Sequence, residues 1–81
     1  MLCKVKLFAR ARDLAGAAEV AVSLPDGATV ADLKASLARA HPALAGLLGR
    51  CAVAVANEFA GDAVAIPLAT EVALLPPVSG G

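Results

Sequence analysis

The chain finishes Leu75-Pro76-Pro77-Val78-Ser79-Gly80-Gly81, and this stretch holds the residues best placed to do chemistry. A diglycine carries its carboxylate on a stalk without side chains, so the backbone passes where no other residue pair fits. Pro76 and Pro77 each fix φ and remove a backbone donor, which stops a preceding strand from pairing further and keeps the exit extended. At roughly 3.3–3.6 Å per extended residue, Val78 to Gly81 reach on the order of 13 Å beyond the globule, enough to enter a buried site on a partner. Such an end reads as a substrate. It reads equally as a frayed terminus, because the last residues of domains are commonly small and disordered.

The remaining reactive residue types supply little. His41 is the sole histidine and precedes Pro42 at the expected end of a helix, where an imidazole caps or is simply exposed. Ser23, Ser36 and Ser79 stand in no nucleophile-elbow context, and there is no glycine-rich phosphate loop. Cys3 and Cys51 lack CxxC or Cys/His spacing, so no zinc ligand set arises, and a disulfide has no oxidising context. Both are expected to be small buried residues. A persulfide-carrier role is disfavoured beside an apolar strand, where a thiolate is costly. The sequence therefore implies no catalytic residue of its own and no metal, and it reads as a module on which enzymes act.

Composition narrows the partners. Eighty-one residues make one domain of marginal size. Seven basic residues balance seven acidic ones and the aromatic set is two phenylalanines, so nucleic acid has neither a phosphate-tracking surface nor a stacking platform to meet. Hydrophobic residues reach 59% with a mean hydropathy of +0.77. Charges, prolines and glycines interrupt every apolar run well short of the roughly 20 residues that span a bilayer. The opening Met1-Leu2-Cys3-Lys4-Val5-Lys6 alternates like a strand and lacks a secretory core. A cytoplasmic protein without membrane contact is expected.

The elements that must hold the tail follow from periodicity. Residues 3–9 alternate, with Cys3, Val5 and Leu7 on one face and Lys4, Lys6 and Phe8 on the other. Ala9 to Ala15 form a short helical turn that Gly16 ends. Glu19 to Leu24 make a second strand with Val20, Val22 and Leu24 on one face, and Pro25-Asp26-Gly27 turns. Thr29 caps a helix whose Val30, Leu33, Leu37 and Ala40 or His41 form an apolar stripe, with Asp32 in its first turn. Pro42 ends that helix and opens a short one, Ala43 to Leu48, whose Leu44, Leu47 and Leu48 face inward before Gly49. Ala52 to Ala56 read as a strand buried on both sides, Asn57-Glu58 as a turn into Phe59-Ala60, and Gly61-Asp62 as another turn. Ala63 to Leu68 are ambiguous, with Pro67 excluding a central strand there. Glu71 to Leu75, apolar on both parities, belong mid-sheet.

This order predicts an α+β fold, a β-grasp domain with a mixed sheet of about five strands packed on one main helix plus short helices. The expected boundaries are a β-grasp domain over residues 1–76 and an extended tail over 77–81. With the helix covering one sheet face, Phe8 falls on the other, and Leu74 or Leu75 joins it if the last strand lies beside the first. The result is an apolar patch at the root of the tail, suited to docking, or else a lone surface phenylalanine of the ordinary kind.

Phe8-Ala9-x-x-Arg12-Asp13-Leu14-Ala15-Gly16, Thr29-Val30-x-Asp32-Leu33, His41-Pro42, Val55-Ala56-Asn57 and the run from Glu71 to Gly81 together resemble the small, sulfur-carrying subunits of molybdopterin synthase, ubiquitin-like proteins that end in diglycine. The resemblance covers essentially the whole chain. It departs at Ala69-Thr70, where that family commonly has a Gly-Asp turn. What it implies is a tail whose Gly81 is adenylated with ATP by a ubiquitin-activating-like adenylyltransferase and converted to a thiocarboxylate. That sulfur then goes to a cyclic pterin precursor in the synthase large subunit, two rounds building the dithiolene of molybdopterin. Pro77, Val78, Ser79 and Gly80 would thread into the partner, and Phe8 and Leu75 would meet it. The assembly would be a heterotetramer, with catalytic side chains on the large subunit, no stably bound cofactor on this chain, and ATP used only by the activating enzyme. Competing expectations are sulfur delivery to another pathway of the thiamine type, a ubiquitin-like protein modifier, and a regulatory binding domain with an idle tail.

Overall fold

A computed structural model describes residues 1–77. Its elements run β1 (Leu2–Leu7), α1 (Ala9–Ala15), β2 (Glu19–Ser23), α2 (Val30–Ala40), a 3-10 turn (Pro42–Leu44), α3 (Ala45–Leu48), β3 (Ala52–Val55), β4 (Glu58–Ala60) and β5 (Val72–Leu75). The strands form one mixed sheet in the order β2-β1-β5-β3-β4. β5 runs parallel to β1, pairing Val5 with Val72 and Leu7 with Leu74, and the other pairs are antiparallel. This is the expected β-grasp, with the last strand at the centre of the sheet.

One face of the sheet is filled. Val5, Leu7, Val22, Val53, Val72 and Leu74 point from the strands into a core closed by Val30, Leu33 and Leu37 of α2 and by Leu44, Leu47 and Leu48. Each fully buried leucine or valine contributes about 1.5–3 kcal/mol relative to exposure, and no charged side chain is buried among the described residues. The start of α2 is tied on several sides. Thr29 Oγ1 accepts from the Asp32 N–H at 3.3 Å while Asp32 Oδ2 accepts from the Thr29 N–H at 2.9 Å, a reciprocal capping box. The N–H groups of Val30 and Ala31 then donate to the carbonyls of Val64 and Asp62. These first-turn donors have no partner inside the helix, so the segment after β4 is held against α2 instead of forming a strand. Lys34 adds an ion pair to Asp62 at 3.0 Å.

Three local expectations change. β1 spans Leu2–Leu7, one residue out of step with the expected 3–9 at its start and shorter at its end, because α1 begins at once after Phe8. β3 is open on one side, with Ala52 exposed and Ala54 half-buried, since α2 covers only the face bearing Val53 and Val55. The β3–β4 turn is Ala56-Asn57, both at positive φ (+52° and +67°), and Glu58 already belongs to β4. Two successive left-handed residues match the twist of a tight hairpin.

Candidate functional site

The alternation of β1 sends Leu2, Lys4 and Lys6 to the uncovered face, and Phe8 continues the series with an extended backbone (φ −128°, ψ 155°). Ala9 then turns left-handed at φ +50°, and the N–H groups of Ala11 and Arg12 both donate to the Phe8 carbonyl, at 3.1 and 3.4 Å. A non-glycine residue in that region costs about 1–2 kcal/mol. The strain sits where it fixes the direction of an exposed ring: Phe8 is 44% accessible. Strain of this kind is retained where the surrounding structure holds it.

Register supplies the neighbours. The Leu7–Leu74 pair makes Phe8 and Leu75 the next residues on adjacent parallel strands, and Leu75 lies opposite Ala52. Ala73 pairs with Ala54, which pairs with Phe59, so this second row shares the same face. Phe8, Leu75, Ala52, Ala73, Ala54 and Phe59 thus make one apolar half of the open face, at the end where Pro76 and Pro77 leave the sheet. Of the two leucines left open by the sequence, Leu75 joins the patch and Leu74 is buried. Phe59 is 78% exposed, the most accessible large apolar side chain among the described residues. Sequence reasoning missed it. The available signal was parity from Val53 and Val55, which needed the position of the turn.

The other half of the face is charged. Lys6 pairs with Glu71 across β1 and the start of β5, and hydrogen bonding to that carboxylate, reinforced by its charge and that of Glu19, raises the ammonium pKa above its usual value. The open face is therefore divided, with salt-bridged lysine away from the exit and bare hydrocarbon beside it.

The other sequence candidates separate from this surface. Pro77 is exposed, while Val78, Ser79, Gly80 and Gly81 lie outside the described residues. Cys3 and Cys51 are free and buried, and desolvation pushes both thiols up. His41 is half-buried at the C-terminus of α2, its backbone N–H donating to the Leu37 carbonyl at 2.8 Å. No cluster of three or more potential metal ligands occurs among the described residues, and none of their helices is long and apolar enough to cross a membrane. What the geometry offers is an exposed apolar surface beside Pro76 and Pro77.

A ubiquitin-like sheet with this surface at its tail defines a class, and the comparisons place the chain within it. It belongs to the ThiS family, whose model matches residues 5–81. The molybdopterin synthase sulfur carrier subunit of Chlamydomonas reinhardtii is 41% identical over 83 residues, with both chains fully covered. Among solved structures, small archaeal modifier protein 1 of Haloferax volcanii superposes with a TM-score of 0.85 at 34% identity, covering 95% of this chain and 98% of that one. A molybdopterin converting factor subunit 1 of Pyrococcus furiosus gives 0.83 at 29% identity, with coverages of 96% and 99%.

Proposed function

We propose that this chain is the sulfur carrier of a molybdopterin synthase and that the apolar half of its open sheet face docks the large subunit. The observation that carries the reading is the full-length likeness to the Chlamydomonas subunit, joined to an apolar face that sits at the root of a diglycine tail. The body presents the tail and the tail does the chemistry. A carboxylate is a poor electrophile. Attack by the Gly81 carboxylate on the α-phosphorus of ATP expels pyrophosphate and leaves an acyl-adenylate, whose carbonyl then accepts a sulfur nucleophile as AMP departs. The resulting thiocarboxylate is ionised at neutral pH and strongly nucleophilic; inside the large subunit its sulfur replaces an oxygen on the cyclic pterin precursor, and hydrolysis of the acyl–sulfur bond leaves the sulfur on the pterin and returns the Gly81 carboxylate. Two loaded chains supply the two sulfurs of the dithiolene. Gly80 and Gly81 suit both pockets because neither carries a Cβ.

The test is intact mass spectrometry of the protein from cells that are making the cofactor. An oxygen-to-sulfur mass increase confined to Gly81 is expected, and deletion of Gly81 is expected to abolish cofactor synthesis. A terminus that stays unmodified in such cells, or function that survives the deletion, refutes the proposal. The likeness to the Haloferax modifier favours a second reading, covalent attachment of the same carboxylate to protein lysines. Isopeptide-linked conjugates that disappear with Gly81 would identify that use.

A further inference from the structure

Beside the tail exit lies a groove of about 780 Å3 that the docking face does not include, lined by Ala9, Arg10, Asp13, Leu47, Arg50 and the exit residues Pro76 and Pro77. The chain as a whole has no net charge, yet here two guanidinium groups face a single carboxylate. Neither forms an ion pair with another described residue: the pairs among these are Met1–Asp26, Lys6–Glu71 and Lys34–Asp62. Two of the three lysines are thus paired, and the unpaired cations at the exit are arginines. Both are exposed.

We propose that this groove receives a carboxylate-bearing segment of the protein that accepts the tail, Arg10 and Arg50 each pairing with an Asp or Glu of that partner. The inference rests on the reading that a partner protein accepts the tail. Position supplies the first argument. Pro76 and Pro77 form part of the groove wall, and Ala9 joins it directly to Phe8, so a protein seated on the apolar face with the tail inside it must run along the groove. Chemistry supplies the second. Arginine's planar fork binds carboxylates bidentately and sheds water more readily than an ammonium, which makes it the favoured cation within protein contacts. The groove's own Asp13 and its Leu47, Pro76 and Pro77 suit a peptide. A polyphosphate or nucleic acid calls for a denser row of cations.

Rim charges of this sort act chiefly on the rate of encounter and are screened by salt. The experiment measures association of the full chain with the synthase large subunit from the same organism, in about 0.1 M and about 1 M salt, where the screening length falls from about 10 Å to about 3 Å. R10E/R50E is expected to slow association about tenfold or more in the dilute buffer, with the gap closing in the concentrated one, and the neutral R10Q/R50Q is expected to fall between. K4E/R39E, which shifts the net charge equally at two exposed positions outside the groove, controls for net charge and is expected to slow it less. Wild-type rates for R10E/R50E, slowing that persists undiminished in high salt, or an equal effect from K4E/R39E each overturn the proposal. F8A separates it from the docking proposal. If F8A binds normally while R10E/R50E slows, the apolar face is refuted and the groove stands, whereas a wild-type chain that does not bind at all refutes both.

Discussion

Replacing Ala69 by glycine is expected to stabilise the protein, by an amount that follows from one dihedral angle. Ala69 lies in the loop before β5 at φ +56°, where an L residue brings its Cβ against the following carbonyl oxygen at a cost of about 1–2 kcal/mol. Glycine escapes that contact, but it also frees the unfolded chain, which offsets about 0.4–1 kcal/mol. Ala69 is exposed, so no cavity enters the balance, and the net gain is about 0.5–1 kcal/mol. In a domain of this size each kcal/mol moves Tm by about 4–8 °C, giving a rise of about 2–8 °C. The mirror experiment is Gly16→Ala. Gly16 caps α1 at φ +70° and an added Cβ there meets nothing within 4 Å, so the same two terms apply with opposite sign and stability is expected to fall by about 0.5–1 kcal/mol. Because the chain has no Trp or Tyr, far-ultraviolet circular dichroism in urea is the appropriate assay, with unchanged m-values as the two-state control. An A69G protein no more stable than wild type, or a G16A protein no less stable, refutes the arithmetic. The position is also where the resemblance to the synthase subunits departs from a Gly-Asp turn.

Thr29→Ala removes the capping box of α2 and is expected to cost about 1 kcal/mol, read as a drop in Tm of about 4–8 °C; an unchanged melting curve would show that the loop carbonyls suffice. Phe59→Ala is expected to weaken large-subunit binding about 30-fold, the equivalent of about 2 kcal/mol for an aromatic anchor. Its stability is expected to hold, since the ring is 78% exposed, and titration calorimetry showing wild-type affinity would remove Phe59 from the docking face. Stability is also expected to decline in alkali. The buried thiols keep their protons beyond the 9.0 at which an unperturbed thiol ionises, so the unfolded chain binds fewer protons above that pH and is favoured. The raised Lys6 pKa acts in the same direction: its stabilisation is complete below 10.5 and is lost as pH rises through the folded value. Urea midpoints that stay level from neutral pH to beyond 10.5 would contradict both.

Where side-chain pattern and covering partner agree, the sequence was readable. Val30, Leu33 and Leu37 announce the buried stripe of α2, Thr29 and Asp32 its start, and the apolar run before Pro76 its place mid-sheet beside β1. The alternation through Phe8 placed that ring on the open face in advance. The readings that changed depend on partners distant in the chain. Small residues such as Ala52 and Ala54 look the same under a helix or bare, so only the position of α2 decides how β3 is covered. Ala56, Ala69 and Ala9 take left-handed backbones that alanine does not advertise, which hid the turn at Ala56-Asn57 and with it the parity of Phe59. The groove between Arg10 and Arg50 brings together residues 40 positions apart in the sequence, and no local pattern joins them.

The alanines of the open face bear on how quickly such a carrier changes hands. Ala52, Ala54 and Ala73 have no rotamers to freeze when a second protein settles on them, and they offer that protein little hydrocarbon to grip. Adhesion then falls to Phe8, Leu75 and Phe59, few enough anchors for short residence times. Under the proposed function, a sheet paved this way suits a component that is recharged by one protein, discharged by another and released by both.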